Sequence, residues 1–131
     1  MEHATTVKLM VSAAGGAAVY WLGGLDKLLT ALVALIVLDY ISGVIKAVHD
    51  RVLSSGAGLQ GIVKKVMILS IVALSFILQK VTGGAMPLRE ITIMFFIANE
   101  GISVLENAAA IGLPLPGKLK SALKQMRDKA A

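Results

Sequence analysis

Residues 28–45 read LLTALVALIVLDYISGVI, bounded by Lys27 and Lys46. Eleven of these positions are Leu, Ile or Val. As a helix the stretch is about 27 Å long, close to the thickness of a bilayer's hydrocarbon core. Its aliphatic side chains favour insertion by roughly 3–7 kcal/mol, against about 2.5–3.5 kcal/mol for one mid-span acid. The segment can therefore carry Asp39 and still enter a membrane. Three further runs share its character, at about 9–25, 59–80 and 90–111, each bordered by charge.

Composition points the same way. The 131 residues are 56% hydrophobic, with 13 glycines in addition, only 16% charged, and have a mean hydropathy of +0.80. A soluble domain of this size cannot bury so much apolar surface. The expected fold is all-α: a single membrane domain over residues 1–131, an integral helical bundle of three to four transmembrane helices. Gly112, Pro114 and Pro116 end the last run, and a short basic amphipathic helix follows over 117–131, with Leu119, Leu123 and Met126 on one face. The first run, rich in Ala and Gly with Tyr20 and Trp21 near its end, either inserts fully or lies on the surface. Cleavage as a signal peptide is not expected. Ser12 and Gly16 form a small-xxx-small pair with Gly23 on the same face, and Gly43 shares a stripe with Asp39; both are expected helix-packing positions.

Several function classes drop out. There is no cysteine, so thiol chemistry is excluded. His3 and His49 are far apart, in charged surroundings, and read as surface residues rather than a metal pair. No phosphate-binding loop or nucleophile elbow occurs. The expectation is no catalytic site, no cofactor and no metal. The net charge of +5 suits cationic loops facing anionic headgroups rather than nucleic acid. Under a four-span topology, Lys8, the 46–65 loop and the tail place ten Lys and Arg on one side, against Lys27, Lys80 and Arg89 on the other. If the first run does not span, the split is nine against four. Either way the loop and the C-terminus, with Lys118, Lys120, Lys124, Arg127 and Lys129, are expected in the cytoplasm.

The costly polar residues are the candidate functional ones. Asp39 is either neutral or paired with Lys46 one or two turns away, or it faces a polar lumen or helix contact. In the fourth run, Asn99, Glu100, Ser103, Glu106 and Asn107 fall within an arc of about 120°. Its eight Leu, Ile, Val and Phe offset little more than Glu100 alone, so this helix needs partners or water. The polar stripe fits a hydrogen-bonded seam, a lumen, or a helix end lying shallower in the bilayer.

Three segments carry a resemblance. Leu38-Asp39-Tyr40-Ile41-Ser42-Gly43-Val44-Ile45-Lys46-Ala47 is followed by Ser54-Ser55 and Gly58-Leu59-Gln60-Gly61-Ile62-Val63-Lys64-Lys65. The third is Asn99-Glu100-Gly101-Ile102-Ser103-Val104-Leu105-Glu106-Asn107, with Gly112, Pro114, Pro116 and Lys118-Leu119 after it. In order and spacing, over roughly residues 35–125, the chain resembles the phage-lysis and toxin-secretion holin family. The resemblance implies a small prophage protein of the bacterial inner membrane. It would associate with itself as a homo-oligomer and open lesions for an endolysin or a large toxin. A small ion channel or transporter with a cation-binding pore, or a structural membrane partner, would also fit the residues taken alone.

Overall fold

The computed structural model describes residues 1–131. It is entirely helical: α1 (Glu2–Trp21), α2 (Lys27–His49), α3 (Ser55–Val81), α4 (Leu88–Ala110) and α5 (Gly117–Ala130). Local chemistry sets the boundaries. The Asp26 carboxylate accepts from the Leu29 amide at 2.9 Å, and the Ser54 hydroxyl accepts from the Ala57 amide at 3.1 Å; these cap α2 and α3. The Ser54 cap starts α3 at Ser55, a turn earlier than its apolar run suggests. Gly83 (φ +77°), Gly84 (φ +76°) and Gly112 (φ +92°) take left-handed conformations in the turns after α3 and α4, where a side chain is strained.

Only 14 of the 131 residues are buried, so this chain cannot keep its apolar surface from solvent by itself. Val37, Ile41 and Ile45 on α2, and Val63, Val66, Met67 and Leu74 on α3, face outward. Both helices are long and apolar enough to cross a membrane; α1 and α4 do not meet that measure. That is two candidate spans where hydropathy suggested three to four.

The core is small and centred on α4. Leu29, Leu32 and Ile36 of α2 meet Ile93 and Ile97 of α4 and Val72 of α3, with Leu22 closing one end. Helix α4 packs against α2, α3 and α5, whereas α2 and α3 meet each other directly only over a short stretch. This accounts for α4's weak hydropathy: one face meets protein rather than lipid. Helix α5 does not trail away. It turns back so that Leu123 lies over Gly101 and Met126 packs on the core.

Helix α1 differs from the sequence expectation. It has no buried residue and touches only α3. Around Gly16 there is open space, and Ser12 is exposed. Gly23 does not continue the face of Ser12 and Gly16, because α1 ends at Trp21 and Gly23 adopts φ +88° in the turn beyond it.

Candidate functional site

Asp39 precedes the end of α2 at His49 by ten residues. Lys65 follows the start of α3 at Ser55 by ten, and Glu100 precedes the end of α4 at Ala110 by ten. With α3 antiparallel to α2 and α4, the three side chains stand at one level, about 15 Å from the helix ends on that side. They meet there. The Lys65 ammonium donates to Asp39 Oδ2 and, at 2.7 Å, to Glu100 Oε2. Asn107 Nδ2 donates to Asp39 Oδ1 at 3.2 Å and to Ser42 Oγ at 2.9 Å, and the Ser42 hydroxyl donates to the Asp39 carbonyl at 3.0 Å. Glu100 is buried, and the side chains of Lys65 and Asp39 retain only 18% and 12% exposure. A charge group this dry is tolerable only when paired.

Small residues allow the approach. Tyr40 of α2 lies across α3, its hydroxyl 3.3 Å from where a Gly58 Cβ would stand and its ring 3.5 Å from that of Gly61. At Gly43 a Cβ would meet Asn107 Nδ2 at 3.7 Å, ordinary contact. The three sequence segments that carry the family resemblance therefore converge: Asp39, Tyr40 and Gly43 from the first, Gly58, Gly61 and Lys65 from the second, Glu100 and Asn107 from the third.

The remaining candidates are distributed differently. Asp39 pairs with Lys65 rather than Lys46. Ser103 borders an open cleft beside Asp39, Lys65 and Glu100. Asn99 is half-buried and outside the hydrogen-bond network, and Glu106 is exposed. The polar arc on α4 is thus split, one edge toward Lys65 and the other toward the surroundings. Lys118, Lys120, Lys124 and Lys129 are exposed on α5 and Arg127 is half-buried. Lys65 is the partner that sequence reading missed, since local patterning places it at the boundary of a cationic loop.

A second polar contact ties the opposite end. Buried Arg89 on the first turn of α4 donates to the carbonyls of Leu22 and Gly24 and makes a forked pair with Asp26 at 2.7 and 3.2 Å. Its amide donates to Gln79 Oε1 at 2.8 Å. Hydrogen bonding from the guanidinium holds the Asp26 carboxyl below its ordinary 3.8. The contribution of this carboxylate is complete above that ordinary value and is lost only as pH falls through the lower folded one. A Cβ on Gly23 would collide with Arg89, 2.6 Å from its Cδ, whereas Gly24 (φ +98°) has open space. Gly23→Ala should therefore cost about 2–4 kcal/mol, combining strain with displacement of Arg89, and Gly24→Ala about 1–2 kcal/mol. Unfolding in detergent micelles followed by circular dichroism measures both; equal losses would contradict the clamp.

Outward apolar helices around a buried polar seam define a helical membrane protein. The model of the bacteriophage holin family matches residues 16–128. A 14.9 kDa protein from the nagH 3′ region of Clostridium perfringens is 44% identical over 108 residues, 82% of each chain. YqxH of Bacillus subtilis is 35% identical over 112 residues, 86% of this chain and 79% of its own. A probable holin of Bacillus phage phi105 is 33% identical over 103 residues, 79% of this chain and 76% of its own. No solved structure matches. The chain belongs to the bacteriophage holin family.

Proposed function

We propose that this protein is a holin of the bacterial inner membrane, which self-associates and opens lesions through which an endolysin or a large exported toxin passes. It performs no catalysis. The observation that carries the reading is the Asp39–Lys65–Glu100 cluster at one level in three helices, in a chain whose outer surface is apolar. Such a seam costs free energy in lipid and is retained where a polar interior is needed. In this reading α2 and α3 are permanent spans, α4 is the third, and α1 either inserts as a fourth or lies on the surface. The cationic residues of α5 meet anionic headgroups.

The test is induced expression in a bacterial host, following membrane potential together with release of a cytoplasmic enzyme. Release of folded enzyme supports a holin. As a second reading, the open cleft bordered by Asp39, Glu100 and Ser103 suits a small ion channel. Loss of potential without enzyme release would favour that channel, and neither signal would favour a structural partner.

Orientation is testable separately, because introduced cysteines are unique. Ser55→Cys, at the start of α3, and Ser121→Cys, on the exposed side of α5, should resist impermeant thiol reagents added outside intact cells. Strong external labelling of either before lysis would overturn the cytoplasmic placement.

A further inference from the structure

Helix α5 lies beside the middle of α4, where the protomer presents two unlike surfaces at one depth. Leu123 covers Gly101, with its Cδ1 3.0 Å from where a Cβ would stand. In an antiparallel pair this register sets Lys118, Lys124 and Lys129 beside about residues 106, 100 and 95 of α4. The contact with α4 is extensive, and the α5 backbone neighbours no other helix. Its free face carries exposed Lys118, Lys120, Ser121, Lys124, Gln125 and Lys129, and Leu119 is the one large apolar side chain it exposes. At the same levels α2 exposes Val37, Ile41 and Ile45, and α3 exposes Leu59, Ile62 and Val66.

Hydrocarbon on every side would strand the lysines, among the costliest arrangements a membrane protein can adopt. Water on every side would leave the aliphatic faces of α2 and α3 uncovered. A lipid–water boundary running lengthwise along the protomer satisfies both. Headgroups cannot replace that water. Lys118 stands about 6 Å below the end of α4 and is within their reach, but Lys124 and Lys129 stand about 15 and 22 Å below it.

We propose that the free face of α5 is a wall of the water-filled passage, and that its lysines make the passage favour anions. The inference rests on the reading that α2, α3 and α4 cross the membrane and that copies assemble into lesions. It adds which face meets water and which charge crosses more readily. Each protomer brings the five cations of α5 to this wall, against the exposed acids Glu106 and Asp128. Assembled copies repeat them around the passage, and rings of Lys and Arg favour anions in pores as rings of acids favour cations.

The experiment uses the full chain in phosphatidylcholine vesicles, which carry no net charge of their own. Lys124→Cys, Val37→Cys and Val66→Cys are single cysteines at one level, each at an exposed position. With a water-soluble thiol reagent on both sides of the membrane, Lys124→Cys should label and the other two should not, although all three label in denaturant. Labelling of all three would place the whole level in water, and labelling of none would place α5 in lipid; either overturns the inference. Charge is read by release at ~0.01 M salt, where fields reach about 30 Å. An anionic dye should leave the parent several-fold faster than a cationic dye of equal size, and Lys120→Glu with Lys124→Glu should reverse that order. Equal rates in the parent, or the parental order kept in the variant, overturn the preference for anions. Failure of the holin reading shows separately, as a parent that releases neither dye; the labelling contrast then still decides whether α5 faces water.

Discussion

Lys65→Met should destabilise the closed bundle by about 3–5 kcal/mol, the usual result of removing one partner from a buried ion group. Lys65 is the only cation bonded to Asp39 and Glu100. Without it two carboxylates face each other at one level between α2 and α4, with Asn107 the remaining donor to Asp39. Packing at Lys65 is a minor part of the loss, because Met is similar in length and apolar. The control is Lys65→Met combined with Asp39→Asn and Glu100→Gln. Replacing a buried ionic group as a whole is often neutral or stabilising, so this triple variant should recover most of the loss. Chemical unfolding in micelles measures both. A Lys65→Met chain as stable as the parent would show that the network contributes nothing to the closed form.

Glu100→Gln should act in the opposite direction. With all three groups ionised, one lysine serves two carboxylates and the cluster carries a surplus negative charge. Gln keeps the size and much of the hydrogen bonding, removes the surplus, and leaves a one-to-one Asp39–Lys65 pair. The variant should insert at least as well as the parent, because an acid at the centre of a span costs about 2.5–3.5 kcal/mol. It should still associate, and it should permeabilise later or not at all, since a satisfied closed seam gains less from hydration on opening. Glu100→Leu should insert best and be the weaker lesion former, because it interrupts the polar edge beside Ser103. Both are followed at matched expression by membrane potential and release of a cytoplasmic enzyme. Parental onset and extent in both would make Glu100 a passenger.

The helical class and the costly acids were legible because hydropathy, helix period and breakers are local. Residues 28–45 needed nothing beyond their own composition, and Gly112, Pro114 and Pro116 marked the end of α4 directly. Lys65 was not legible as a site residue: its partners lie 26 and 35 positions away, and a lysine between a turn and an apolar run looks like a loop cation. Gly23 fits the small-residue pattern of Ser12 and Gly16 by spacing, yet its backbone belongs to a turn that Arg89 fills. The return of α5 along α4 was hidden for a different reason. Leu119, Leu123 and Met126 make the same stripe whether an amphipathic helix rests on lipid or on protein. Likewise, the weak hydropathy of α4 signalled a need for partners without naming α2, α3 and α5.

Lesion formation by this chain alone is tested most directly with purified protein in vesicles of phosphatidylethanolamine and phosphatidylglycerol, loaded together with a small dye and a folded enzyme. A holin releases both, with an onset that shortens steeply as protein density rises, because assembly precedes opening. Dye release without enzyme at every density, or enzyme release rising only in proportion to protein, would contradict self-assembled lesions.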